Sequence, residues 1–456
     1  MKKFSFFFVL GLCIASLAEP VTLTLEGSVV MAIKGASNVL KAKQASDLSA
    51  TTLLQSYLQF TPNLTARGDY TFYKGTSYLT QAMPATINSF NYGPDYTLTA
   101  TLNLFNGLSD FASMKSALER RYAANFTLTR VKQQIALDIA QSFLQVVLDG
   151  QIIDIARSNL KTSEERQRLL EEQVKVGVSN EADLFRQRAQ TSADMSYLIS
   201  TENKRRTDLI VLLEKLRLDP NQQYELINPS LEQPIKSIKS APERYGEMDK
   251  TIDAALHERT DLAASKRLLQ SAKWSVTNAY SGFYPRLDFA ANLYGNARYY
   301  DYLNVNGVPQ ALGPQPSLGA QLGKNISTTF GFSLNWNLWD NFVTPLNIQK
   351  AKVLRFDAKV DYEDNQRLVI GDVKQAYGDY EAAIQQLVAA KKGLDAANKA
   401  FELMQGRYEV GAASFLDLLT SQSAQTQAEA TNAQSIISFA LQERMMDFVL
   451  GTTKVD

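Results

Sequence analysis

The chain is poor in the residues that most catalytic and metal sites need. Its 456 residues include one cysteine, one histidine and three tryptophans. One of each soft ligand cannot build a zinc site or an iron–sulfur cluster. A Ser-His-Asp triad would have to use His257, which sits in Ala-Leu-His-Glu-Arg-Thr, an ordinary solvated helix context. Lys+Arg and Asp+Glu balance at 47 each, so the cationic excess that nucleic-acid binding requires is missing. No segment beyond the N-terminus reaches the eighteen or so consecutive apolar residues of a membrane-spanning helix. No convergent acid–base pair stands out, so the chain is not expected to be an enzyme or to hold a cofactor.

The N-terminus reads as a secretory signal. Lys2 and Lys3 precede the apolar stretch Phe4–Leu17, and Ser16-Leu17-Ala18 is a small-x-small cleavage site. Residues 1–18 are therefore expected to be removed. Cys13 could suggest lipidation, but Leu12 precedes it where such signals carry a small residue. Cleavage after Ala18 removes the single cysteine, leaving packing or association to stabilise an exported chain without disulfides. Such a chain is periplasmic, secreted or an outer-membrane barrel, and a barrel would show as alternation.

Alternation occurs four times, predicting strands at about 63–74, 95–105, 285–294 and 329–339. Leu64, Ala66, Tyr70 and Phe72 oppose Thr65, Arg67, Asp69 and Thr71. Tyr96, Leu98, Ala100, Leu102 and Leu104 oppose Thr97, Thr99, Thr101 and Asn103. Leu287, Phe289, Ala291 and Leu293 oppose Arg286, Asp288 and Asn292; Phe330, Phe332, Leu334, Trp336 and Leu338 oppose Gly331, Ser333, Asn335 and Asn337. Period two over about nine to eleven residues is what a tilted transmembrane strand requires. Four strands of a soluble sandwich would show the same pattern. Aromatics at the strand ends, among them Tyr57, Phe60, Tyr73, Tyr284, Tyr299 and Trp339, fit interfacial girdles or a generic aromatic core. Segments 74–95 and 295–329, rich in Gly, Pro, Asn, Ser and Tyr, read as exposed loops.

The remainder is helical and duplicated. Helical spacing predicts long helices at about 106–176 and 344–410, each near 100 Å at 1.5 Å per residue, a length that implies a coiled coil or a tube. Displacing the chain by 234 positions aligns Asn103-Leu104-Phe105-Asn106 with Asn337-Leu338-Trp339-Asp340, Val176-Gly177 with Val410-Gly411, and Asp183-Leu184 with Asp417-Leu418. Each half reads helix, strand, strand, long helix, sharp turn, helix. The first repeat spans 19–218, with a tip at 176–180 and a helix at 180–217. The second spans 251–450, with a tip at 410–414 and a helix at 414–450. Helices at 24–58 and 251–281 lead into the strands. A proline-bearing equatorial linker, 219–250, joins the halves, and 451–456 is a short tail.

This duplication, Leu104-Phe105-Asn106-Gly107, and above all Arg407-Tyr408-Glu409-Val410-Gly411-Ala412-Ala413-Ser414-Phe415-Leu416-Asp417-Leu418-Leu419, resemble the TolC-type outer-membrane efflux family over essentially the whole mature chain. The resemblance implies an α+β membrane protein in the outer membrane of a Gram-negative bacterium. Three protomers would share a twelve-stranded β-barrel continuous with a periplasmic α-helical coiled-coil tube. It also implies a passive exit duct for tripartite efflux or type I secretion, with a periplasmic adaptor, an inner-membrane transporter and outer-membrane lipid as partners. A periplasmic or surface coiled-coil scaffold is the competing reading, and it leaves the alternating strands unexplained.

By the same resemblance Arg67, Asp69, Asn103, Arg286, Asp288, Asn335 and Asn337 would line the barrel lumen. The tips Val176, Gly177, Val178, Ser179 and Asn180, and Val410, Gly411, Ala412, Ala413 and Ser414, would receive the adaptor's helical hairpins; as bare sequence they are also ordinary helix ends with glycine. Asp183, Tyr408, Asp417 and Thr420 would form the periplasmic gate. Asn180-x-x-Asp183 and Ser414-x-x-Asp417 read equally well as helix caps. Some relatives carry an arginine where this chain has Ala413 and an acid where it has Thr420, so an arginine lock and a full acidic ring are not expected here.

Overall fold

The computed structural model describes residues 21–78, 85–227 and 244–455. The signal segment 1–18 and half of the linker, 228–243, lie outside the described residues. The first half runs β1 (Val21–Leu23), α1 (Leu25–Gly35), α2 (Ser37–Leu58), β2 (Asn63–Tyr78), β3 (Thr86–Phe105), α3 (Ser109–Lys175) and α4 (Glu181–Leu216). After β4 (Tyr224–Leu226) the second runs α5 (Met248–Glu258), α6 (Thr260–Tyr280), β5 (Arg286–Asn296), β6 (Tyr299–Val305), β7 (Val308–Pro309), α7 (Leu318–Lys324), β8 (Ile326–Asn335), α8 (Val343–Glu409) and α9 (Phe415–Leu450). Both α3 and α8 have 67 residues, and both α4 and α9 have 36.

The repeat extends to backbone detail. Gly107 and Leu108 enter α3 with positive φ, and Asn341 and Phe342 enter α8 the same way. Asn106 Oδ1 accepts the Asp110 N–H at 3.3 Å, and Asp340 Oδ2 accepts the Thr344 N–H at 2.7 Å, so one orphan donor at each helix start is satisfied. The long helices end at Gly177 (φ 73) and Gly411 (φ 76), and α4 and α9 end at Arg217 (φ 58) and Gly451 (φ 78). At all four ends the next residue's N–H reaches back five positions, as in Val178→Gln173 at 2.8 Å and Ala412→Arg407 at 2.7 Å. This left-handed stop satisfies the last carbonyls.

Two compact units emerge, and each takes segments from both repeats. One gathers residues up to Gln44, Phe126–Ala263 and Asn365 onward. Its core packs Leu25 and Ala32 of α1 against Ile139, Phe143 and Val146 of α3 and Leu212, Leu213 and Leu216 of α4. Here β1 pairs in parallel with β4, so the linker is not wholly irregular: three of its residues form a strand. The other unit comprises Ala45–Asn125 and Ala264–Asp364, and holds the main sheet. Its helices are stitched by small polar groups: Ser116 meets Ser271 at 2.8 Å, and Ser109 donates to Asn278 at 2.7 Å.

The sheet departs from expectation in three places. First, β3 begins at Thr86 rather than near 95 and its residues 86–101 pair with the whole of β2, so most of the expected loop 74–95 is strand. Gly93-Pro94 reads as a turn but lies mid-strand. Pro94 C=O accepts from Ala297 N at 3.0 Å, so its missing N–H faces the junction where β3 changes partner from β5 to β6. A Cβ at Gly93 would lie 2.0 Å from the Ala297 oxygen. Second, the expected loop 295–329 contains β6, β7 and α7, with Asn306-Gly307 turning the β6–β7 hairpin. Third, β8 stops at Asn335. Its partner β5 begins at Arg286, just after Pro285, so 336–339 have no ladder to continue.

Candidate functional site

Register merges the four alternating strands into one two-faced sheet, in the order β2-β3-β5-β8. On one face Leu64 stands opposite Ala100, Leu98 opposite Leu293, and Phe289 opposite Phe332. The Phe289 and Phe332 rings are 5.2 Å apart. Among the described residues nothing covers this face: Phe72 is 69% exposed, and Phe330 and Phe332 are 72% each. A soluble sandwich would bury it, and a patch this extended marks a membrane or partner surface.

The other face is polar and nearly self-neutralising. Arg67 holds Asp69 at 2.7 Å and Arg286 holds Asp288 at 2.8 Å, each pair two residues apart on one strand. Thr99 donates to Asn292 at 2.8 Å, and Asn103 Nδ2 donates to Asp110 Oδ2 at 3.0 Å. Asn335 lies opposite Arg286. Asn337 does not belong to this face, because the strand ends two residues before it. Among the described residues β2 pairs only with β3 and β8 only with β5, so both edges of the four-strand sheet are open.

The C-terminal ends of the long helices run into the two turns. The residues from Val176 to Asn180 and from Val410 to Ser414 occupy them as expected. No atom lies within 4 Å of a Cβ built on Gly177 or Gly411, so only their positive φ calls for glycine. Val176, Val178 and Val410 are exposed at 72%, 77% and 79%. Beneath them Leu170, Leu184 and Phe415 form a small buried cluster flanked by Val174, Tyr408 and Leu419. The two hairpin tips of one chain therefore share a core.

The four gate candidates have distinct surroundings. Asp417 completes a capping box: Oδ2 accepts from Ser414 N at 3.1 Å and from Ser414 Oγ at 2.7 Å, while Ser414 Oγ accepts from Asp417 N at 3.2 Å. The Ser414 hydroxyl, then its N–H, hold the Asp417 carboxyl below the usual carboxylate range. Asp183 sits in the first turn of α4, capped by Asn180, and pairs with Arg186 at 3.3 Å. Tyr408 packs on Phe415 at 5.9 Å; burial first, and then the Asp183 charge, push its phenol up while Arg166 opposes them. Thr420 Oγ1 donates to its own helix at Leu416 O, 2.9 Å. Sequence reading missed Arg166 and Gln422, which meet across α3 and α9. Their one local signal is a break in the repeat: Ala400 and Arg188 occupy the corresponding positions.

Known proteins resemble this chain in sequence and in fold. The family model described as outer membrane efflux protein matches residues 251–445, within the second repeat. The pyoverdine export outer membrane protein OpmQ of Pseudomonas aeruginosa is 23% identical over 313 residues, which is 68% of this chain but only 60% of that protein. The outer membrane protein TolC of Escherichia coli is 20% identical over 451 residues, 95% of this chain and 86% of that protein. In fold the chain is similar to the outer membrane protein VceC of Vibrio cholerae, with a TM-score of 0.74 and 14% identity over 94% of this chain and 96% of that one.

Proposed function

We propose that this chain, whose second repeat matches the outer membrane efflux protein family, is a member of it, and that three copies form the exit duct of a tripartite export system, a passive conduit opened when a periplasmic adaptor and an inner-membrane transporter engage its tips. The observation that carries this reading is the four-stranded sheet with an uncovered apolar face and two open edges. Open edges cannot stay unpaired in hydrocarbon, because each unmet N–H or C=O there costs several kcal/mol. Joining β8 of one copy to β2 of the next closes the ring, and three copies supply twelve strands.

In such a ring the apolar face meets lipid and the polar face lines water. Arg67 with Asp69 and Arg286 with Asp288 cancel locally, so the lumen wets without binding solutes by charge. Nothing in this wall requires chemistry of the cargo, in keeping with a family of efflux proteins rather than enzymes. The exposed valines at the turns, over a shared tip core, suit contact with apolar side chains of an adaptor.

Purified protein in planar lipid bilayers tests the reading. Discrete ohmic conductance steps, enlarged when the cognate adaptor is added on the tip side, are expected. A protein that stays soluble without detergent and gives no conductance would instead be a scaffold.

A further inference from the structure

Roughly seven helical turns before Val176, two carboxylates share one ammonium between α3 and α4. Lys204 Nζ donates to Asp149 Oδ1 at 2.5 Å and to Asp208 Oδ2 at 3.0 Å. Gln145 Nε2 donates to the same Asp149 Oδ1 at 2.9 Å. The Asp149 side chain is only 5% exposed, and its second oxygen, Oδ2, is buried with no hydrogen-bond partner among the described residues. Arg205 is the other cation nearby, but its Nε lies against Gly150, 3.7 Å from where a Cβ would stand, and reaches neither carboxylate. The next ion pair on these helices, Arg157 with Glu202, is two turns further on. Among the described residues no ion pair reaches the site from a third element.

A buried carboxylate oxygen with no donor is costly, and a second carboxylate beside it adds like-charge repulsion. Burial pushes the Asp149 carboxyl above its ordinary value; Lys204 opposes this, and Asp208 adds to it. Asp208 is near enough to bond Asp149 once a proton stands between them. The second hairpin has no such group. Displacement by 234 places Ala383, Ser438 and Gln442 where Asp149, Lys204 and Asp208 stand.

We propose that Asp149 and Asp208 form a proton-binding site that tightens the α3–α4 hairpin in acid, the proton bonded to Asp149 Oδ2 and donated to the Asp208 carboxylate. The proton comes from water. Its uptake leaves Lys204 positive, Asp208 negative and Asp149 neutral, so each charge has one partner and the orphan oxygen becomes a donor. A folded value above the free one means that this stabilisation is fully present below the unfolded value and is lost as pH rises through the folded one. The site works within one hairpin of one chain and does not rest on the duct reading.

Hydrogen–deuterium exchange of the assembled protein, corrected for the intrinsic pH dependence of exchange, tests it. Protection of the α3 and α4 amides flanking the site should rise about tenfold per pH unit as pH falls from the folded value towards the free-Asp value near 3.9. The matching amides of α8 and α9 should not respond. Asp149→Asn is neutral at every pH, so its α3–α4 protection should be flat and, at neutral pH, above wild type. Lys204→Met removes the charge that competes with the proton and should move the rise to higher pH; Asp208→Asn should move it lower. A merely structural ion pair would lose protection at every pH without moving the midpoint. Infrared difference spectra should show a protonated-carboxyl band in wild type that Asp149→Asn lacks. Elution as the assembled oligomer checks that each variant is folded, and if Lys204→Met does not assemble, the Asp149→Asn comparison decides alone. A pH response in Asp149→Asn equal to wild type, or a midpoint unmoved in both Lys204→Met and Asp208→Asn, overturns the site.

Discussion

Replacing Gly411 isolates backbone strain from packing. Its φ of 76 lies in the left-handed region, and a Cβ there would meet open space, so a new side chain collides with nothing. The cost is conformational, about 1 kcal/mol for alanine and about 2 kcal/mol for valine, whose branched Cβ crowds its own backbone. Asparagine, which tolerates this region, should cost only a few tenths of a kcal/mol. The chain already holds Arg217 at φ 58 at the corresponding end of α4, so such a stop survives without glycine. A loss of 1–2 kcal/mol in a turn lowers its ratio of ordered to disordered forms about five- to thirtyfold. Adaptor cross-linking at Val410 and export should therefore fall in the order Gly, Asn, Ala, Val, while the oligomer assembles normally. Equal cross-linking by Gly411→Val and wild type would refute the link between turn geometry and docking. Export lost at full cross-linking would move the role of the turn elsewhere.

Other outcomes follow from the same geometry. Phe332→Arg should block membrane assembly, since a cation on the lipid face near the midplane costs about 2–4 kcal/mol, whereas Ser333→Arg on the polar face should assemble; heat-modifiable mobility on gels reports both. Arg259, 6% exposed between Asp261 at 2.6 Å and Asp372 at 2.7 Å, anchors the start of α6 to α8. Arg259→Ala removes both contacts, leaving Asp261 with Arg130 at 3.3 Å and Asp372 to solvent, and should destabilise by about 1–3 kcal/mol, read as a lower melting temperature in detergent. Asp417 is held below its ordinary pKa, so its stabilisation is present above the unfolded value and is lost as pH falls through the folded one. Proteolytic nicking at 410–414 should rise in that acid window, and Asp417→Asn should abolish the dependence. If Asp417 is a cap alone, block by a trivalent cation is unchanged in Asp417→Asn; relieved block would restore it to the gate.

Much of this architecture was legible because it is periodic. The displacement of 234 that aligns Val176-Gly177 with Val410-Gly411 carries α3 onto α8 and α4 onto α9 residue for residue. Alternation gave the lipid and water faces because a strand has only two sides. Where reading failed, a local signal was outweighed by a distant partner. Gly93-Pro94 carries turn chemistry, yet it lies in a strand because Ala297, some two hundred residues away, comes too close for a side chain. Asn306-Gly307 is a readable hairpin signal inside a segment whose composition is that of a loop. Alternation continues through Asn337, but the ladder partner has already ended at Pro285. The capping box at Ser414 and Asp417 is local and was legible. The Arg166–Gln422 contact joins residues 256 apart, and its one local trace is the break in the repeat at Ala400 and Arg188.

The central claim is that the sheet is completed only by other copies of the chain. Mass determination of the purified protein in mild detergent tests it most directly, by light scattering corrected for bound detergent. The account predicts three chains per particle, dissociating only as the barrel unfolds on heating. A folded, membrane-inserted particle containing a single chain would contradict it.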